Sequence, residues 1–215
     1  MPVTITRIEP QKRKKNRYSL FAGAEFIFSV TDKTLLEFGI HTGQKLSEET
    51  IVKIKEKESY YLLYEQALRY LARRAHARYE LGKKLTQKGF DKNSINNILG
   101  DLEKKKYLND SDFARLFILD EMRLRKSGPL RIQQKLIQKG VHSEIIQEWL
   151  HTLYPEHLQA QNAQYLAEKK LNVLQNMIPA EQQKKLAAFL KSKGYVWQIS
   201  ARVIKKITGD ITDEA

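Results

Sequence analysis

Lys84-Leu85-Thr86-Gln87-Lys88-Gly89-Phe90 recurs as Lys135-Leu136-Ile137-Gln138-Lys139-Gly140-Val141, and more loosely as Phe189-Leu190-Lys191-Ser192-Lys193-Gly194-Tyr195. Each copy reads as the end of a helix. Glycine stands just past the last turn, where the chain goes left-handed and a Cβ is penalised. The apolar residue after it (Phe90, Val141, Tyr195) folds back towards Leu85, Leu136 or Leu190. One such stop is common. Three of them, about 50 residues apart, mark an internal repeat and decide the architecture.

The repeat extends on both sides of the glycine. Ile98 and Leu99 correspond to Trp149 and Leu150, and to Val203 and Ile204; Leu102 corresponds to Leu153 and Ile207. Apolar residues at 95, 98, 99 and 102, and at 146, 149, 150 and 153, have helical spacing, so a helix follows the stop. Upstream, 67–75, 113–126 and 158–174 read as leading helices. Between leading and middle helix, repeat two has Ser127-Gly128-Pro129, with proline suited to a first helical position. Repeat one has Ala77-Arg78-Tyr79-Glu80. Glu80 stands at the third helical position, but Ala77 brings no capping oxygen, so half of a capping box is missing and serine at 77 is expected to stabilise. Repeat three starts its middle helix earlier, at Pro179-Ala180-Glu181, and is the most diverged copy.

The first 46 residues have another period. Val3-Thr4-Ile5-Thr6 alternates, and 18–22 and 25–30 flank Gly23 as a hairpin with Phe26, Phe28 and Val30 on one side. Asp32 is expected to cap a short turn carrying Leu35, Leu36 and Phe38, closed by Gly39. Ser47-Glu48-Glu49 opens the next helix. The fold class is therefore mainly α: tandem three-helix repeats in an elongated curved array, with a small β-rich N-terminal cap. The divisions are 1–46 for the β-rich extension, 47–66 for a connecting helix, 67–110, 111–157 and 158–208 for the repeats, and 209–215 for a tail.

The chain has 215 residues, 41% of them hydrophobic, no cysteine and a formal net charge of +13. It has no run of about 18 apolar residues, hence no expected membrane span. Its first ten residues lack the apolar core of a signal peptide, so the cytoplasm is the expected location. Without cysteine there is no disulfide, thiolate metal site or cysteine nucleophile. No phosphate-binding glycine loop, nucleotide fingerprint or zinc-protease motif is present. His41, His76, His142, His151 and His157 form no metal-site register, and Asp110 and Asp112 read as caps for the helix near Phe113 rather than as a metal pair. Trp149 falls in a core stripe. Tyr60, Tyr61 and Tyr64 read as packing for the N-terminal cap before they read as base-stacking groups. The chain is expected to be no enzyme and to need no cofactor or metal.

The charge points to a polyanionic partner because it is placed. Arg131, Lys135 and Lys139 share a helix face. Lys84 and Lys88 stand at positions equivalent to Lys135 and Lys139, and Arg74 aligns with Arg125. Lys88, Lys139 and Lys193 fall in last helical turns, where any cation suits the helix dipole, and are discounted. Arg74, Lys84, Arg125 and Lys135 become the principal candidates for partner or DNA contact, with Arg73, Arg78, Arg123 and Arg131 beside them. Lys12-Arg13-Lys14-Lys15-Asn16-Arg17 reads as a solvated hairpin loop, with phosphate contact as its second reading.

The stretch Ala67-Leu68-Arg69-Tyr70-Leu71-Ala72-Arg73-Arg74-Ala75-His76-Ala77-Arg78-Tyr79-Glu80-Leu81 resembles the signature of the RecX family. The stop at Gly89, Asp110-Ser111-Asp112-Phe113-Ala114 and Gly128-Pro129-Leu130-Arg131-Ile132 through Gly140-Val141 continue the resemblance, which covers 60–207. No single motif is diagnostic, since each is mostly helix punctuation; the specificity lies in their order and spacing together. Ala75 and Ala77 depart from the family's usual acid and serine. The resemblance implies tandem three-helix repeats, binding to the RecA filament on single-stranded DNA, and restraint of its growth and strand exchange. The chain is expected to act as a monomer, with DNA itself as its second candidate partner. The alternatives are a basic helical-repeat protein acting on nucleic acid alone, and an adaptor for another acidic protein.

Overall fold

Three glycines end three helices in one conformation. Gly89, Gly140 and Gly194 have φ of +85°, +81° and +88°. After each, an amide returns to the carbonyl five residues back: Phe90 to Leu85 at 3.5 Å, Val141 to Leu136 at 3.1 Å and Tyr195 to Leu190 at 3.1 Å. Leu85, Leu136 and Leu190 are wholly buried, so the apolar half of the motif is made as well.

The structure, a computed structural model, describes residues 2–12 and 15–209. Arg13 and Lys14 of the basic loop, and the tail from 210, lie outside the described residues. The elements are β1 (Val3–Thr4), β2 (Arg7–Pro10), β3 (Arg17–Ala22), β4 (Glu25–Thr31), α1 (Asp32–Glu37), β5 (Lys45–Leu46), α2 (Glu48–Leu71), α3 (Arg78–Thr86), α4 (Lys92–Lys104), α5 (Asp110–Arg123), α6 (Pro129–Gln138), α7 (Ser143–Leu153), α8 (Glu156–Leu171), α9 (Pro179–Lys193) and α10 (Trp197–Thr208). They fall into two units. One comprises Met1–Arg74 and Gly82–Lys104, the other Ala75–Leu81 and Lys105–Ala215.

In the first unit, β2, β3 and β4 form an antiparallel sheet in sequence order, and β1 pairs with β5. Ile5, Leu20, Phe28, Val30, Ile40, Leu46 and Ile54 make its core. Phe26 does not join Phe28 and Val30 there and is 53% exposed. The register jumps from Leu20↔Phe28 to Phe21↔Phe26, an irregularity that breaks the strict alternation. Thr31, not Asp32, caps α1, its side chain accepting from the Thr34 amide. Ser47 caps α2 as expected, accepting from Thr50 N at 3.1 Å. From there α2 runs unbroken through 66 and 67, so the connecting helix and the first leading helix are one element. Glu58 of α2 is buried against the end of β4: its Oε2 accepts from Thr31 N at 2.7 Å and from the hydroxyls of Thr31 and Thr34 at 3.0 and 2.7 Å.

In the second unit, α5, α6 and α7 surround a core containing Phe113, Ile118, Ile132, Leu136, Ile146 and Tyr154. Helices α8, α9 and α10 surround another containing Ala163, Ala167, Leu186, Leu190, Ile199 and Val203. The Tyr154 and Tyr195 hydroxyls lie 3.1 Å apart, and Tyr195 donates to Lys126 O at 2.7 Å, which ties the two cores together. Burial raises the pKa of both phenols, so both remain neutral donors.

Within the second unit the stops also pack against helix starts. An added Cβ on Gly140 would lie 2.6 Å from Tyr79 Cγ, and one on Gly128 would lie 2.6 Å from Tyr195 N. Gly128 N donates to Lys193 O at 2.8 Å and Leu130 N to Gly194 O at 3.1 Å. The stop of one repeat thus rests on the start of the middle helix before it.

Candidate partner-binding surface

The capping of α3 resolves the half-missing box at Ala77. Ala77 is wholly buried in the core of repeat two, and its side chain supplies no oxygen. Asp110 Oδ1 accepts from the Arg78 backbone amide at 2.6 Å instead. Asp110 therefore does not cap its own helix. Asn109 does, accepting from Ser111 N at 2.9 Å and Asp112 N at 3.2 Å. The expectation that Asp110 and Asp112 cap the helix near Phe113 is corrected: they occupy its first turn, where carboxylates suit the dipole.

Lys135 and Arg125 converge on a carboxylate that the sequence reading passed over. Glu121 lies on the inward stripe of α5 with Ile118 and Met122. Its Oε2 accepts from Lys135 Nζ at 2.6 Å and Ser127 Oγ at 2.7 Å, and its Oε1 from Arg125 Nη1 at 2.8 Å. Burial pushes this carboxyl up. The hydrogen bonds from Lys135 and Ser127, with the charges of Lys135 and Arg125, outweigh that and hold it below its ordinary value. The stability this contributes is present above the unfolded carboxyl pKa and is lost as pH falls through the lower folded one.

In repeat one, Tyr70 occupies the position of Glu121. Lys84 Nζ lies 5.2 Å from the Tyr70 ring, so the same lysine position meets an aromatic face instead of a carboxylate. Lys84 and Lys135 also fall in the last turns of α3 and α6. The dipole argument that discounts Lys88, Lys139 and Lys193 therefore applies to them too. Arg131 Nη1 donates to Ser192 O at 2.9 Å, at the C-terminal end of α9, and Lys139 Nζ lies 3.2 Å from Glu80 Oε1. Lys84 and Lys135 are half-buried and built into the fold, whereas Arg131 is exposed and bonded to the end of α9.

Arg73, Arg74, Arg123 and Arg125 are exposed, and Arg78 is half-buried at the start of α3. Arg73 and Arg74 follow the end of α2, and Arg123 closes α5. Of the basic loop, Arg17 turns inward: its Nη2 donates to Ser29 Oγ at 2.8 Å and lies 3.5 Å from Glu58 Oε1. Tyr61 donates to Glu37 Oε2 of α1 at 2.7 Å, towards the N-terminal cap as expected, but Tyr60 donates to Asp101 Oδ2 of α4 at 2.9 Å, away from it. Trp149 packs beside the repeat-two core and donates to Ser111 Oγ at 2.8 Å. Among the described residues no group of His, Asp and Glu could hold a metal ion, and no helix is long and apolar enough to cross a membrane.

The buried carboxylates Glu58 and Glu121 were legible in principle. Glu121 interrupts an apolar helical stripe with Ile118 and Met122, and Glu58 stands one turn after the buried Ile54 on α2. A lone charge on such a stripe signals a paired buried ion.

Comparison with known proteins matches residues 3–47 to the regulatory protein RecX N-terminal domain, 64–102 to the RecX first three-helix domain and 109–150 to the second. A regulatory protein RecX of Clostridium beijerinckii is 32% identical over 213 residues, covering 98% of each chain. One from Lactobacillus johnsonii is 39% identical over 156 residues, 73% of this chain and 57% of that one. A crystal structure of regulatory protein RecX superposes with a TM-score of 0.74 at 25% identity, covering 94% of this chain and 98% of that one.

Proposed function

The chain belongs to the RecX family of regulatory proteins, and from that premise we propose that it regulates the RecA recombinase without catalysing a reaction. In this reading it acts in the cytoplasm, binds the RecA filament on single-stranded DNA, and restrains filament growth, ATP hydrolysis and strand exchange. The observation that carries it is the order of the matched domains along the chain. The charge of +13 supports an acidic partner. The mechanism is steric and electrostatic: the repeats occupy the filament and block further assembly, with no covalent step. Arg73, Arg74, Arg123 and Arg125 are the outward cations that contact it, by paired hydrogen bonds to carboxylates or phosphates. Lys84 and Lys135 hold the repeats that present them, and the exposed Arg131 stands beside them at the start of α6.

Co-sedimentation with RecA-coated and with naked single strands tests this. The protein is expected to pellet with the coated strand and to slow its ATPase while hydrolysing nothing itself. Pelleting that ignores RecA, with a steep loss on added salt, would instead support the second reading, direct nucleic-acid binding driven by the same net charge.

A further inference from the structure

Trp197 is 69% exposed. It opens α10 outside the stripe of Ile199, Val203 and Ile204 that faces the core of repeat three. A tryptophan so placed contributes little to folding and stands out on a surface. It lines a groove of about 630 Å³ on α9 and α10, together with Ala180, Ala187, Ala201 and Ile204. Lys184 and Lys205 also line it, and no described carboxylate does.

The groove has a counterpart elsewhere in the chain. Lys184 stands ten residues before Gly194, as Leu130 stands before Gly140 and Tyr79 before Gly89. At the first two of those positions, the next repeat is seated. Tyr79 receives the Gly140 stop, and Leu130 N donates to Gly194 O at 3.1 Å. In repeat three the equivalent position opens onto the Trp197 groove. Counted back from the glycine, the groove lies at the register that seats a stop twice in the chain, although α9 begins further upstream, at Pro179.

We propose that this groove docks an acidic polypeptide segment that inserts one bulky apolar side chain beside Trp197. Resting on the RecA reading above, that segment belongs to the protein of the filament and not to its DNA. The alanines leave room for a side chain, and the indole gives it a large apolar contact of the kind that dominates interfaces. Lys184 favours a carboxylate at the rim. A single strand would need a longer cationic track following several phosphates.

The chain has two tryptophans, so Trp149→Phe leaves Trp197 as the only indole reporter. Fluorescence and acrylamide quenching of this variant, its fold checked by circular dichroism, are read alone, with naked single strand and with RecA-coated strand. Co-sedimentation is run on the same samples. The expected result is a blue-shifted, shielded Trp197 with the coated strand only, and filament affinity about tenfold weaker in Trp197→Ala and in Lys184→Glu of the otherwise native chain. Filament binding that leaves Trp197 accessible and Trp197→Ala at full affinity would overturn the groove and leave the RecA reading intact. Shielding by naked strand would overturn it in favour of nucleic acid. Shielding in the free protein that disappears in a chain ended at Gly209 would assign the groove to residues 210–215, which carry three carboxylates. Absence of any co-sedimentation with the filament would overturn the RecA reading and this partner with it.

Discussion

At the scale of the residue, one backbone conformation serves different surroundings. Gly89 has no described atom within 4 Å of where a Cβ would stand. Alanine there costs only left-handed strain, about 1 kcal/mol. Gly140 has the same φ but rests on Tyr79, and Gly194 rests on the backbone of Arg131. Alanine at either adds overlap with a packed neighbour, for a total of about 2–4 kcal/mol. Denaturant midpoints are expected to fall modestly for Gly89→Ala and much further for Gly140→Ala and Gly194→Ala. Equal losses at all three would show that the stops end helices and do not stack repeats. The left-handed turn was readable from a glycine and the apolar residue after it. The burden each glycine carries was not, because its neighbour comes from another repeat.

The same division between local and distant partners governs the elements. Ser47 as a cap, proline at the start of α6 and α9, and the stripes of α4, α7 and α10 were legible because propensity, capping and period all act within a few residues. What escaped the sequence was supplied across the fold. Ala77 looks like a missing cap, yet the α3 amide at Arg78 is bonded to Asp110, 32 residues away in sequence. Asp110→Ala is expected to cost about 1 kcal/mol, the value of a capping bond. Ala77→Ser, which the sequence alone marks as stabilising, is expected to cost about 1–3 kcal/mol, since it buries a hydroxyl where the amide already has its acceptor. Thermal and chemical denaturation of the two variants check this. A gain in stability for Ala77→Ser would mean that Asp110 is dispensable. Glu58 and Glu121 were passed over for a related reason: their place beside buried apolar residues is local, but the groups that pair them, Thr31 and Thr34 for one and Lys135 for the other, stand on other elements.

At the scale of the whole molecule, a charge of +13 is a sum over cations with different occupations. Alignment between repeats singled out Arg74, Lys84, Arg125 and Lys135, because periodic placement suggests a periodic surface. Periodicity also follows from a repeated structural task, and Lys84 and Lys135 perform one, on the Tyr70 ring and on Glu121. Arg125 is divided: it is 68% exposed yet bonded to the Glu121 carboxylate, so a glutamate in its place would set a like charge against a buried one. The cleaner probe of the outer surface is Arg73→Glu with Arg123→Glu, both at exposed positions. This double variant is expected to weaken filament binding about tenfold or more while its thermal midpoint stays nearly unchanged, since exposed substitutions rarely exceed about 0.5 kcal/mol. Lys135→Met is expected to do the reverse, losing about 1–3 kcal/mol of stability as Glu121 gives up one of its hydrogen-bonded cations, with filament binding kept wherever the chain is folded. Added salt separates the two. It screens exposed pairs and so should mimic the arginine reversal, whereas the Lys135–Glu121 pair is shielded from it by burial. Filament binding that survives the arginine reversal at low salt but is abolished in folded Lys135→Met would move the contact surface onto the lysine face of α6, where the aligned charges first suggested it.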